Sequence, residues 1–298
     1  MASPTATQGP VGLIGIGLIG SAIAERLLAA GCRVIGHDIT DARREALTRL
    51  GGETAPGAAA VFQSCPRVIL SLPTHVEVVS VLDSAGDSLR DGHVVIDTTT
   101  GDPGATEEIA HLLAGRGVAY LDATISGSSS QLREGSALLM VGGEQAAFTA
   151  SREILGELAP EVFHCGPAGA GARMKLVTNV VLGLNRAALA EGLALAQGLG
   201  LDARQALTVM QQGPAYSRIM DRKGERMLTG NFTPEARLSQ HLKDVRLVLA
   251  QGEAAGLPMP LSHAHRAILE EAEAAGLGSL DNSALIRVLT ARAAASTP

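Results

Sequence analysis

Gly15-Ile16-Gly17-Leu18-Ile19-Gly20 constrains this chain more than any other segment, because of what lies on either side of it. Val11 to Ile16 is an uncharged apolar run, the pattern of a buried strand, and Ser21 to Ala30 has the spacing of a helix. A strand that turns through G-x-G-x-x-G into a helix is the fingerprint of a dinucleotide-binding βαβ unit. Gly15 permits the tight turn, Gly17 lets a pyrophosphate approach the backbone, and Gly20 lets helix and strand pack closely. Leu18 and Ile19 open the helix, whose free N–H groups and positive dipole end favour phosphate.

Asp38 follows 18 residues after Gly20, at the end of a second strand pattern, Arg33 to Gly36. A carboxylate there accepts hydrogen bonds from the adenosine ribose hydroxyls and repels a 2′-phosphate. The next residue is Ile39 rather than an arginine that would welcome that phosphate. The pattern therefore predicts NAD as the cofactor, in preference to NADP. His37 sits beside Asp38 and would line the adenosine pocket.

Further strands are predicted at Val68 to Leu72, Val94 to Ile96, Ala119 to Leu121 and Ala137 to Val141, with helical patterns between them. Strands alternating with helices predict a mostly parallel sheet covered on both faces. After Cys165 the character changes. Gly166 to Gly171 reads as a hinge-like stretch, Ala172 to Gln197 as one long helix, and further helices follow without strand-like alternation. The expected organisation is an α/β Rossmann-type domain over residues 1–165 and an all-α substrate and oligomerisation domain over 166–298.

Composition narrows the function classes. Of 298 residues none is Trp, two are Tyr and four are Phe, so the core must be built from Ala, Val, Leu and Ile. Net charge is -6, which leaves no basic footprint for nucleic acid. Cys32, Cys65 and Cys165 are far apart and in no metal-binding pattern, which fits a reducing compartment. No residue is assigned to a metal. The start of the chain lacks the basic and apolar regions of a signal peptide, and no long apolar run predicts a membrane span. A cytoplasmic location is expected.

Three segments carry candidate chemistry. Asp122 to Ser128 follows a strand, Gly169 to Asn179 opens the long helix, and Lys243-Asp244-Val245 lies in a later one. Lys175 and Asn179 are four residues apart and share a helical face. Oxidising an alcohol by hydride transfer needs a base for the hydroxyl proton, and the reverse needs an acid. A lysine serves both if its surroundings bring its pKa towards working pH. Asn179 offers a donor and an acceptor to a substrate hydroxyl. Ser126 and the backbone at Gly127 can donate to a substrate carboxylate, and Lys243 adds a second cation if the helices converge. Each feature has a plain structural alternative: a solvated helix face for the lysines, a turn for Ser126-Gly127.

As an ordered set these segments resemble the β-hydroxyacid dehydrogenase family, which includes 3-hydroxyisobutyrate and tartronate semialdehyde enzymes. The likeness runs from Val11 to about Leu289. It rests on Gly15 to Gly20, Asp122 to Ser128 with Met140-Val141-Gly142-Gly143, Gly169 to Asn179, and Lys243-Asp244-Val245. Leu72-Pro73 and Asp97 to Thr100 match family strand ends that touch the cofactor. The resemblance implies Lys175 as catalytic acid/base, and Ser126, Gly127 and Asn179 as substrate-binding residues; Ser128, next in the loop, is a further candidate for substrate binding. It places Thr100 and Lys243 beside the nicotinamide, and implies a homodimer or homotetramer acting on a small anionic hydroxy acid or semialdehyde.

The chain departs from the family pattern in four places. Ile19 replaces a usual Met, and Val180 stands for the second Asn of KxxNN. Thr124 stands where proline is common, which predicts a less rigid substrate loop. Ser128 replaces the second glycine of SGG, and the polar Ser129, Ser130, Gln131 and Arg133 follow. That tract suggests a substrate with more hydroxyls, or another anionic group, than 3-hydroxyisobutyrate; the plain alternative is a solvent-facing loop. Two rival functions share the scaffold: an imine reductase, which usually carries another residue at the Lys175 position, and a non-catalytic NAD-binding regulator, which needs no proton-transfer residue.

Overall fold

The computed structural model describes residues 9–295. One compact unit ends at Lys175 and a second begins at Leu176.

The first unit is built on eight strands: β1 (Val11–Ile14), β2 (Val34–His37), β3 (Glu53–Thr54), β4 (Arg67–Leu70), β5 (Val94–Asp97), β6 (Ala119–Ser126), β7 (Leu138–Gly142) and β8 (Glu161–Gly166). They form one sheet in the order β3-β2-β1-β4-β5-β6-β7-β8. All neighbours are parallel except β6 and β7. The chain leaves β1 towards β2 on one side and returns to β4 on the other, so the strand order reverses between β1 and β4. In open α/β sheets a ligand crevice lies at such a point, outside the carboxyl ends of the strands.

Helices α1 (Leu18–Ala29), α2 (Asp41–Arg49), α3 (Ala58–Ser64), α4 (His75–Ala85), α5 (Pro103–Ala114), α6 (Ser129–Arg133) and α7 (Gln145–Leu158) connect the strands. One apolar layer carries Ile23, Leu27, Leu132, Leu155 and Leu158, from α1, α6 and α7. The other carries Phe62, Val78, Leu82 and Ile109, from α3, α4 and α5. With both faces covered, strands such as Val11–Ile14 are buried along their whole length, which is why they read as continuous apolar runs rather than alternating ones.

The second unit continues α8 (Ala170–Gly198), which starts in the first, and adds α9 (Ala203–Gln212), α10 (Arg218–Thr229), α11 (Leu238–Ala254), α12 (Pro260–Ala274) and α13 (Ile286–Ala295). Its core joins Leu189, Leu193, Met220, Met227, Leu242, Leu269 and Leu285. Among the described residues it contains no strand, only an isolated bridge between Arg237 and Asp281. No helix among them is long and apolar enough to cross a membrane.

Two strands escape the sequence patterns. β3 is two exposed residues behind Gly51-Gly52, and β8 lies at the sheet edge with no fully buried position.

Candidate active site

The glycine turn lies at the carboxyl end of β1. Gly15 has φ +91°, a left-handed conformation that side chains rarely adopt. A β-carbon at Gly20 would collide with the Gly15 carbonyl oxygen, so the turn and α1 touch through bare backbone. At Gly17 nothing lies within 4 Å of such a carbon. Gly17 caps α1 without a side-chain hydrogen bond, which leaves the first N–H groups of the helix directed at that open face. A dinucleotide pyrophosphate fits this cradle, and Leu18, exposed, and Ile19, half-buried, stand at its rim.

Asp38 closes the turn from the side. Its Oδ2 accepts from the Ile16 N–H at 2.7 Å and its Oδ1 from the Thr40 N–H at 2.8 Å. Burial works against ionisation. The two N–H groups and Arg43, 3.3 Å away, outweigh it and hold the carboxyl below its usual pKa. Asp38 is therefore a fixed negative charge tied to the phosphate turn. Arg44 donates to its carbonyl oxygen and pairs with Asp41. Ile39 is 91% exposed. His37 Nδ1 lies 3.0 Å from the Ala55 carbonyl oxygen.

The ends of β4 and β5 lie beside the same edge, in a register that pairs Ile14 with Leu70 and Leu70 with Asp97. Leu72 N–H donates to Thr99 Oγ1 at 3.1 Å, and Thr98 Oγ1 donates to the Leu70 carbonyl at 2.8 Å. Asp97 accepts from the Thr99 N–H and from the Tyr120 hydroxyl at 2.6 Å. These bonds fix the loops that carry Leu72-Pro73 and Thr100.

Lys175 is buried, and its Nζ donates to the Ile125 carbonyl at 2.7 Å. Ser126 and Gly127 follow at once, half-buried, with Gly127 at φ +150°. A β-carbon at Gly127 would press on Ala137 at 3.0 Å. The first unit thus brings the lysine and the Ser126-Gly127 backbone together. Ser128 has a different partner set. It caps α6 in a reciprocal box with Gln131, its hydroxyl accepting from the Gln131 N–H at 3.3 Å and its own N–H donating to Gln131 Oε1 at 3.0 Å. Arg133 donates to Glu25 on α1 at 2.8 Å.

Thr124 is a buried strand residue, not a loop residue. Its hydroxyl reaches the Gly171 carbonyl at 3.0 Å and the Met140 carbonyl at 3.2 Å. The looseness expected from losing a proline is met by this cross-link. The glycine-rich approach to α8 is likewise fastened: Asp122 accepts from the Gly169 N–H at 2.9 Å and the Ala172 N–H at 2.7 Å. Burial pushes the Asp122 carboxyl up to about 6, with those N–H groups pulling the other way.

In the second unit, Asn179 Nδ2 donates to Asp244 Oδ2 at 3.1 Å, and Lys243 Nζ lies 3.1 Å from Asp244 Oδ1. Asp244 is the shared partner of both predicted residues, and the sequence marked it only as the middle of Lys243-Asp244-Val245. Asp122 was likewise read as motif rather than as an anchor; a lone acid inside the apolar run Ala119 to Ile125 was the signal for it.

Comparison with known proteins finds relatives along almost the whole chain. Residues 10–166 match the family described as the NAD binding domain of 6-phosphogluconate dehydrogenase. Residues 169–289 match that described as NAD-binding of NADP-dependent 3-hydroxyisobutyrate dehydrogenase. A 2-(hydroxymethyl)glutarate dehydrogenase of Eubacterium barkeri is 30% identical, over 93% of this chain and 94% of its own. An L-threonate dehydrogenase of Cupriavidus necator is 28% identical over 93% and 95%. A crystal structure of 3-hydroxyisobutyrate dehydrogenase from Salmonella typhimurium superposes with TM-score 0.87 at 26% identity, covering 94% of this chain and 100% of that one.

A Rossmann sheet with a phosphate turn, joined to a helical unit, defines the class as a nicotinamide-dependent oxidoreductase. Within that class the chain belongs to the β-hydroxyacid dehydrogenase family.

Proposed function

We propose that this protein is an NAD-linked dehydrogenase that interconverts a small β-hydroxy acid and its semialdehyde, with Lys175 as the acid/base. One observation carries the reading: a buried lysine ammonium 2.7 Å from the carbonyl that immediately precedes Ser126-Gly127. A substrate carboxylate held by the Ser126 hydroxyl and the Gly127 N–H would place its β-carbon hydroxyl within reach of that nitrogen. When bound, the nicotinamide supplies the hydride acceptor. The hydroxyl proton passes to the Lys175 amine as the carbonyl forms, and in reverse the ammonium returns it.

Asn179 is assigned the substrate hydroxyl and Lys243 the nicotinamide edge on the family resemblance, and Asp244 orients both. Ser128 shapes the loop beside the carboxylate through its cap. The relatives named for 2-(hydroxymethyl)glutarate and L-threonate support a hydroxy acid with a second carboxylate or extra hydroxyls. The charge at Asp38 supports NAD. Arg43 and Arg44 at the same corner are the observation that favours NADP instead. A homodimer or homotetramer is supported by apolar residues left exposed in the helical unit, among them Val177, Val181, Leu195 and Leu199.

The test is turnover with NAD and NADP against a panel of C3 to C5 hydroxy acids, for the parent and for Lys175→Ala, with mass by light scattering. Loss of about 10²–10⁴-fold in kcat, with dinucleotide binding intact, is the expected result for an acid/base residue. Unchanged turnover in the variant would remove Lys175 from the chemistry, and dinucleotide binding without turnover on any acid would favour a regulator.

A further inference from the structure

We infer that Asp122 is the positioning residue for Lys175, a role that rests on the acid/base function proposed for that lysine. Its two carboxylate oxygens take the N–H groups of Gly169 and Ala172, one before and one inside the first turn of α8. Two residues along β6, Thr124 donates to the carbonyl of Gly171. One residue further, Ile125 receives the Lys175 ammonium. Three positions of one strand, 122, 124 and 125, thus hold residues 169, 171, 172 and 175 at the start of one helix, and the lysine is the last of them.

The grip leaves no slack. A β-carbon at Gly171 would lie 2.6 Å from the Met140 carbonyl oxygen and 2.8 Å from Asp122 Oδ2. One at Gly142 would lie 2.7 Å from the Pro167 carbonyl oxygen and 2.9 Å from the Ala170 nitrogen. Strand and helix meet backbone to backbone, and the carboxylate fastens the first turn of α8 to β6. A buried acid in an apolar strand is costly unless bonded, and here both oxygens are bonded at the positive end of a helix dipole. Misplacing a reacting group by about 1 Å can cost about 10²-fold in rate, so a modest shift of this turn is enough to matter.

Asparagine at 122 keeps one acceptor and turns an NH₂ group against an N–H donor. The experiment compares kcat, KM and dinucleotide Kd for the parent, Asp122→Asn, Thr124→Val, Lys175→Ala and the two doubles with Lys175→Ala, with thermal unfolding as the fold control. Asp122→Asn is expected to lower kcat by about 10- to 100-fold, with dinucleotide Kd within about twofold. In the Lys175→Ala background the same change should cost less than about twofold of the residual turnover, because the group it positions is gone. Thr124→Val should follow the same pattern with a smaller loss. If Asp122→Asn does not fold, Thr124→Val decides by the same comparison. Parent-like kcat, or the same fold-loss with and without Lys175, would overturn the inference. If Lys175→Ala itself keeps full activity, the acid/base reading fails instead.

Discussion

Inside the helical unit, the Lys223 ammonium sits 2.9 and 3.0 Å from the two carboxylate oxygens of Asp281. Ser283 adds its hydroxyl at 2.7 Å and its N–H at 3.1 Å, the N–H groups of Glu235 and Ala236 donate as well, Arg226 lies 3.9 Å away, and Lys223 also reaches Glu235 at 3.1 Å. Burial opposes ionisation of Asp281, but the lysine and these bonds win and hold it at about 2. An unfolded Asp titrates near 3.9. The native pKa is the lower one, so the contribution to stability is fully present above about pH 4 and is lost as pH falls towards 2. Asp281→Asn should destabilise the protein at pH 7 by about 3 kcal/mol, and the gap from the parent should close between pH 4 and 2. Urea unfolding across that range measures both, and equal stability at pH 7 would refute the clasp.

Gly17 and Gly20 should separate binding from folding. Gly20→Ala drives a methyl into the Gly15 carbonyl, and should lower both melting temperature and dinucleotide affinity. Gly17→Ala meets no protein atom, so the fold should hold while the dinucleotide Kd rises at least about tenfold by blocking backbone approach. Calorimetric binding and a melting curve on each variant suffice. Equal damage to stability from both would contradict the open cradle.

Ser128→Ala removes one half of the α6 capping box and should cost about 1 kcal/mol of stability. If the residue acts through its cap, KM for the hydroxy acid stays within about twofold at a temperature where the variant is folded. A KM increase of tenfold or more would mean that the hydroxyl touches substrate.

Arg43 lies against Asp38 with its own side chain 43% exposed, so it can turn towards an added phosphate. Arg43→Ala should lower kcat/KM with NADP by about tenfold and leave NAD within about twofold, the size of one lost charge-assisted contact. A fall with NAD as large as with NADP would show that Arg43 works by holding Asp38.

Much of the first unit was legible because parallel strands buried on both faces read as plain apolar runs, and because the glycine turn demands one backbone shape. The long helix from residue 172 onward was legible for the same kind of reason, as a sustained Ala- and Leu-rich pattern. β8 was not, since an edge strand with Phe163 exposed and Cys165 half-buried follows no simple alternation. The box at Ser128-x-x-Gln131 was written in the chain as a cap signature, but the polar tract drew attention as a departure from the family's SGG, towards substrate. Thr124 and Asp122 show a deeper limit. Their partners at the start of α8 lie 47 to 50 residues away, and no local pattern states which carbonyl or N–H a buried hydroxyl or carboxylate will meet.

β6 has eight residues where β1, β4 and β5 have four each. Its first half, Ala119 to Asp122, completes the parallel set, while Ala123 to Ser126 run on for about 13 Å past the end of β5, supported by β7. The overhanging half can therefore change at its free end, Ser126, without disturbing the register that ties Ala119 to Asp122 to β5.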